Sequence, residues 1–297
     1  MKQSRKWMRL SGLTALALLC LALLVGLVFT FFKKDPEWKT LSDSAESTDA
    51  AAATNGKMPA TDSQLTDLTD LSNFRAAYLR ANGGREAING LQSLLVTGTL
   101  ESNGQTVPFR SIKKRPNQGI FTMSMPEYDL SLVVNGDQAW QRVEKPGMDP
   151  VDTLMNKKQA RATANLGHFF APIMHILLDE SSAVKRLEAD SWEDIPTLRM
   201  DYSSSARKMR GAVHFDPKTM TPIARLENFG EGRERLIRYD DYRAIDGGIQ
   251  QPFLVETFVD GERINRTQIE KVSANPGILN FIFEFRSEAD GATASAR

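Results

Sequence analysis

The chain has 297 residues, with 37 basic and 37 acidic side chains that cancel to a net charge of zero. That balance gives no electrostatic reason to expect a nucleic-acid partner, which needs a basic face. The single cysteine, Cys20, sits in an apolar N-terminal run, so the globular part has no disulfide, a pattern that suits a reducing compartment or an exported protein that avoids thiols.

Residues 1–32 read as a cytoplasmic tip and a membrane anchor. Lys2, Arg5, Lys6 and Arg9 are basic, and Leu10–Phe32 has no charged residue. As a helix that run spans about 34 Å, enough for a hydrocarbon core of ~30 Å. The positive-inside rule places the N-terminus in the cytoplasm and the remainder across the membrane. The run exceeds the core of a cleaved signal, and no small-x-small site follows Phe32, so an uncleaved anchor is expected. A lipoprotein signal ends its apolar core at the cysteine. Here the core continues past Cys20, which reads as a lipid-facing or packing residue. Residues 33–66 are rich in Ser, Thr, Asp and Ala. They offer too few apolar groups to offset ordering entropy and predict a flexible tether with a reach of roughly 30 Å.

Residues 67–286 form the expected globular domain, and 287–297 a disordered tail. Leu68, Leu71, Phe74, Ala77 and Tyr78 predict an amphipathic helix over Leu68–Ala81. Gly83-Gly84 stops it, and a short helical turn follows over Arg85–Leu91. Strands then begin. Leu94, Val96, Gly98 and Leu100 share a face, and Asn103-Gly104 is a hairpin turn. Val107 and Phe109 share a face of the returning strand, whose Pro108 predicts an edge or a bulge. Lys113–Asn117 reads as a polar, basic turn. Phe121, Met123 and Met125 alternate, as do Leu130, Leu132 and Val134, and Asn135-Gly136-Asp137 turns into a strand carrying Trp140. Together these predict an antiparallel meander.

A helical interruption over Asn156–Leu178 carries Leu166, Phe170, Ile173 and Leu177 on one stripe, widened by Phe169 and Met174. Pro172 should kink it or divide it in two. A second strand run extends from Val184 to about Phe285, with Leu198, Met200 and Tyr202 on one face, and Met209, Gly211, Val213 and Phe215 on one face. Asp246-Gly247-Gly248 and Asp260-Gly261 mark later turns.

The candidate binding surface is apolar. Val96, Leu100, Phe109, Phe121, Met123, Leu130, Leu132 and Trp140 are expected on one side of the first meander, with Phe169, Phe170, Ile173 and Leu177 facing them from the helix. The same residues serve equally as a filled core. Methionines such as Met123 and Met174 suit either an adaptable pocket or a core. Lys113, Lys114 and Arg115 read as an exposed turn, with lipid phosphate or an acidic partner as the functional alternative. No catalytic, metal or cofactor site is expected. His168 and His175 are seven apart, too far along one helix for a zinc pair. His214 is out of phase with Val213 and Phe215 and reads as outward-facing. Ser203–Ser205 lack a nucleophile-elbow context.

The order of several short motifs resembles the LolA/LolB family of periplasmic lipoprotein-sorting and carrier proteins, in its outer-membrane lipoprotein-sorting branch. They are Tyr78-Leu79 with Gly83-Gly84 and Ala87-Ile88, then Leu95–Gly98, Lys114-Arg115-Pro116-Asn117 and Asn135–Trp140. Later come Phe215-Asp216, Tyr242–Gly247, Gln251-Pro252 and Asn275-Pro276 ahead of Phe283. The resemblance covers roughly residues 70–285. It implies an α+β, mainly β fold: a curved antiparallel half-barrel sheet with helices packed in its concave mouth, to which the anchor adds one N-terminal transmembrane helix. It further implies a domain in the bacterial periplasm, held to the inner membrane. There it would bind lipid or lipoprotein acyl chains without covalent chemistry, as a tethered carrier or chaperone for envelope biogenesis. The alternative is a tethered envelope sensor or protein-interaction module with a filled core and an envelope protein partner. The anchor departs from the soluble carriers, and no functional arginine of theirs is carried over.

Overall fold

A short helix opens the domain because Asp70 caps it: its carboxylate accepts from Ser72 N and Asn73 N. Helix α1 (Leu71–Ala81) therefore starts three residues after the apolar stripe begins. Phe74 and Tyr78 are its buried residues. Gly83 then adopts φ +77°, and a Cβ there would lie 1.8 Å from Gly247 O, so only glycine fits. Helix α2 (Gly84–Gly90) follows. The computed structural model describes residues 67–169, 173–179, 181–204, 209–228 and 234–286. The expected anchor over 1–32, the tether over 33–66, the tail over 287–297, Phe170 and Pro172 lie outside them. No helix among the described residues is long and apolar enough to cross a membrane.

The described strands form one open, curled, antiparallel sheet of thirteen. They are β1 (Ser93–Ser102), β2 (Gln105–Lys114), β3 (Gln118–Ser124), β4 (Asp129–Asn135), β5 (Gln138–Glu144) and β6 (Val151–Leu154). After the helical interruption come β7 (Val184–Trp192), β8 (Ile195–Ser204), β9 (Met209–Phe215), β10 (Pro222–Asn228), β11 (Glu234–Ala244), β12 (Gln250–Val259) and β13 (Glu262–Ala274). Asn103 and Gly104 both take positive φ, 51° and 71°, as the tight β1–β2 hairpin demands. Strand β6 follows no strong alternation and is not anticipated.

The spatial order is β6-β5-β4-β3-β2-β1-β13-β12-β11-β10-β9-β8-β7. The first and last strands meet in the middle, and β6 and β7 become the two edges. Gly98 makes the joint: a Cβ there would lie 2.1 Å from Gln268 O, and the β1–β13 register shifts at this point. Pro108 does not mark an edge strand, since β2 lies between β1 and β3. It is tolerated because β3 pairing reaches only to Phe109, so the missing N–H is needed by no neighbour.

This order has a consequence for the segment 155–183. It must travel from one edge of the sheet to the other. Its described pieces lie on one face, here termed the inner face, and are together called the strap. These are α3 (Lys157–Thr163), a 3₁₀ turn (Ala164–Gly167) and α4 (Ile173–Asp179). Asn156 starts α3 with a reciprocal capping box to Gln159. The expected single stripe is therefore divided. The strap and α1 close the larger apolar cluster, which includes Phe74, Val96, Leu130, Leu177, Met200 and Phe215.

The C-terminal segment after β13 crosses to the outer face. Its 3₁₀ turn (Asn280–Phe283) inserts Phe283, fully buried, into a second cluster with Ile112, Ile120, Val133 and Trp140. Arg142 latches it, donating to Ile282 O and Glu284 O while paired with the buried Asp152. Asp152 also accepts from Arg286 N at 2.8 Å.

Candidate functional site

Strand register assembles the inner face row by row. Phe109 pairs with Met123, and Met123 with Leu130; Phe121 pairs with Leu132. Val96 and Leu100 continue the face on β1. Of the anticipated lining residues, Val96, Leu100, Phe109, Met123, Leu130, Leu132, Ile173 and Leu177 are buried, while Phe121 and Phe169 are half-buried. Phe109 and Phe121 stack at 5.4 Å. Phe169 lies under the Arg115 guanidinium at 5.3 Å. Ile173 and Leu177 reach the sheet from α4 and belong to the same apolar cluster as Val96 and Leu130.

Trp140 is a correction. It pairs with Val133, which alternates with Leu132, so its side chain lies on the outer face against Phe283. The misplacement has a clear origin: β4 is buried on both faces from Leu130 to Val134, and a two-sided strand does not announce which face is inner. The second meander contributes residues to the inner face that were not singled out as lining. Leu198 pairs with Phe215 and Met200 with Val213, all fully buried. Phe74 of α1 meets Phe215 edge-on at 5.0 Å.

The basic turn is also revised. Lys113 and Lys114 belong to β2, and all three cations are used internally. Lys113 Nζ donates to His168 O at 2.7 Å, tying the sheet to the strap, and burial lowers its pKa from 10.5 to about 8. Lys114 Nζ donates to Ile278 O and Asn280 Oδ1. Arg115 donates to Leu91 O and Ile88 O. His168 and His175 do not share a helix. Their rings lie 6.0 Å apart. His214 keeps its predicted phase but is buried, with Nδ1 3.1 Å from Thr197 Oγ1 and its ring 4.9 Å from Trp192. Burial holds it below the ordinary histidine range.

One charged group on the inner face was not anticipated. Tyr202, Gly211, Glu227 and Arg235 stand in one register row, and Val213, Arg225 and Ile237 in the next. Arg225 and Glu227 are two apart on β10 and so share a face. Both are buried. Arg235 donates through Nε and Nη2 to Glu227 Oε2. Burial alone would raise Glu227, but Arg225 and Arg235 outweigh it and hold the carboxyl below its usual range. Alternating residues within Pro222–Glu227 carried this signal, masked by its polar character.

The arrangement defines a class of protein: an open antiparallel sheet whose apolar inner face is roofed by a strap linking its two edges. No family model matches the chain, and no curated protein matches it. Among solved structures, a DUF1329 family protein from Desulfovibrio piger aligns with a TM-score of 0.50 at 11% identity, over 72% of this chain and 97% of that one. A LolA superfamily protein from Nitrosomonas europaea aligns with a TM-score of 0.46 at 11% identity, over 71% and 97%. A putative outer membrane lipoprotein-sorting protein domain from Vibrio parahaemolyticus aligns at 0.39 and 9% identity, over 73% and 95%. The likeness to the Desulfovibrio piger structure is one of fold alone.

Proposed function

We propose that this chain binds a lipid or acylated lipoprotein non-covalently, tethered by its N-terminal run to the inner membrane and acting in the bacterial periplasm as a carrier or chaperone. One observation carries the reading: the apolar inner face is covered by a strap of short helices rather than by a second sheet. Helices α3 and α4 have seven residues each, well below the length of about 12–15 at which a helix is marginally stable alone. Packing holds α4 in place, through buried Ile173, Met174, Ile176 and Leu177.

Magnitudes make the exchange reversible. Burying such side chains contributes about 1.5–3 kcal/mol each, so four give roughly 6–12 kcal/mol gross. An acyl chain that removes about ten methylenes from water gives ~8 kcal/mol gross. Chain and strap compete at near parity for the same face, so loading and release need no covalent step. The apolar run over Leu10–Phe32 and the polar stretch after it support the tethered placement.

The test is native mass spectrometry of the full chain, purified from a bacterial envelope into non-ionic amphipol, beside a Leu132→Glu variant. Annular lipid on the anchor is common to both. A stoichiometric acyl species retained by the wild type and lost from the variant is expected. Identical lipid content in the two would sink the reading. A second reading, the interaction module, draws on Val151 and Leu154, which are 52% and 58% exposed on the short edge strand β6. Edge strands with apolar side chains invite pairing with another chain. That reading takes over if the inner face admits no acyl chain.

A further inference from the structure

We propose that Lys113 receives the singly charged oxyanion of the bound amphiphile, a carboxylate or phosphodiester, which replaces the strap's His168 carbonyl as the acyl chain replaces the strap's apolar side chains. The proposal rests on the acyl-binding reading and assigns it a headgroup end.

Register puts Lys113 on the inner face. It alternates with Ile112, which belongs to the outer cluster, and with Lys114, whose Nζ reaches Ile278 O and Asn280 Oδ1 of the outer C-terminal segment. Its partners across the sheet are Leu94 of β1 and Gly119 of β3. Leu94 belongs to the larger apolar cluster, and a Cβ on Gly119 would collide with Leu166 of the strap. Lys113 therefore stands at one end of the apolar face, against the end of the 3₁₀ turn.

Its electrostatics differ from those of the buried arginines. Arg142 has Asp152 beside it, and Arg225 has Glu227. Lys113 is half-buried and forms no ion pair among the described residues. Its Nζ donates to the neutral His168 O at 2.7 Å. Desolvation, with no carboxylate set against it, brings its pKa down to about 8, so at neutral pH it is still mainly a cation. A carbonyl satisfies one of three ammonium N–H groups and cancels no charge. Holding a charge in an apolar site without a counter-charge is unfavourable. An anionic oxygen makes a roughly twofold stronger hydrogen bond than a neutral one.

The strap occupies this face as an amphiphile would. It supplies apolar side chains, Ile173 and Leu177, to the cluster of Val96 and Leu130, and one polar oxygen, His168 O, to Lys113. The row beside Lys113 on the same face holds Ser111, Phe121 and Leu132, and the next holds Phe109, Met123 and Leu130. A headgroup at Lys113 thus has one hydroxyl near it and then an apolar path for its chain. A neutral amphiphile that lifts the strap removes His168 O and leaves the ammonium without a partner. An anion restores the partner and neutralises the charge, so the tie that holds the strap also selects for charged cargo.

The experiment uses the full chain in non-ionic amphipol and three ligands sharing one eighteen-carbon monounsaturated chain. These are oleate, lysophosphatidylglycerol and the neutral mono-olein, with affinities read by native mass spectrometry. One or both anions should bind at least about tenfold more tightly than mono-olein, the scale of a hydrogen bond to a charged group. Preference for oleate assigns a carboxylate, and preference for the lysolipid a phosphodiester. Lys113→Met should move the ligands in opposite directions: the preferred anion binds more weakly, and mono-olein binds more tightly because no tie has to break. Lys113→Arg should keep the preference. Lys113→Gln can still donate to His168 O, which guards against loss of the fold, and should erase the preference. A purely structural latch would instead tighten all three ligands alike in Lys113→Met, and that outcome overturns the headgroup site. Equal binding of charged and neutral ligands by the wild type, or a preference that survives Lys113→Gln, also overturns it and leaves acyl binding standing. Failure of all three ligands to bind overturns both.

Discussion

Replacing Gly119 with alanine tests whether the strap is a movable roof. Gly119 is a buried residue of β3 on the inner face, paired with Lys113 and Val134. A Cβ there would lie 2.6 Å from Leu166 O, 2.7 Å from Leu166 C and 2.8 Å from Gly167 N. All three are backbone atoms of the strap, so no rotamer change relieves the contact. Ordinary separation is ~3.5 Å or more, so the strap must retreat by roughly 1 Å. Overpacking of this kind costs about 1–3 kcal/mol. Alanine in a strand regains about 0.5–1 kcal/mol over glycine. The remainder, roughly 0–2.5 kcal/mol and centred at about 1.3 kcal/mol, falls on the strap, beside the Lys113–His168 hydrogen bond. The central value corresponds to a rise of about tenfold in the population with the roof lifted. Hydrogen exchange read by mass spectrometry should show faster exchange in residues 157–169 and 173–179, with β1, β2 and β13 unchanged. Uptake of an acyl probe should accelerate in step. Unaltered strap exchange, or faster exchange spread evenly over the sheet, would refute the idea that the strap opens as a unit.

Asp152→Ala should destabilise the domain by about 3–5 kcal/mol, because it leaves Arg142 buried and uncompensated; chemical denaturation checks this, and proteolysis should reach the segment from Ile278 to Arg286 first. His214 sets an acid limit. Its folded pKa lies below the ordinary value of 6.5 because it is buried, so the unfolded chain binds its proton more readily. Stability from this site is complete above pH ~6.5 and is lost as pH falls through that value towards the lower folded pKa. Melting curves from pH 7.5 to 5 should therefore fall more steeply for the wild type than for His214→Phe, and parallel curves would contradict the assignment. Gly83→Ala should cost more than 2 kcal/mol, roughly, since it combines left-handed backbone with a backbone collision at 1.8 Å; thermal melting is the measure.

Alternation along the chain carried most of the strands, because a half-buried strand writes its faces with period two. Leu94 to Leu100, and Leu198 to Tyr202, each fall on one face as read. Local chemistry likewise decided the turns: Asn103-Gly104 accepts positive φ at both positions, and Gly83 ends α1. Periodicity is silent on pairing between distant strands. That β1 joins β13, leaving β6 and β7 as edges, follows from burial summed over the whole domain, and it alone sends the strap across the inner face. The same is true of Trp140, whose strand pairs with one buried on both sides. It holds for His168 and His175, seven apart in sequence and not on one helix, whose rings nonetheless lie 6.0 Å apart. Arg225, Glu227 and Arg235 read as ordinary polar strand residues in the sequence. Tertiary structure brought them together, because register aligned two neighbouring strands, β10 and β11, and the sheet curled them inward, and one-dimensional pattern contains neither of those facts.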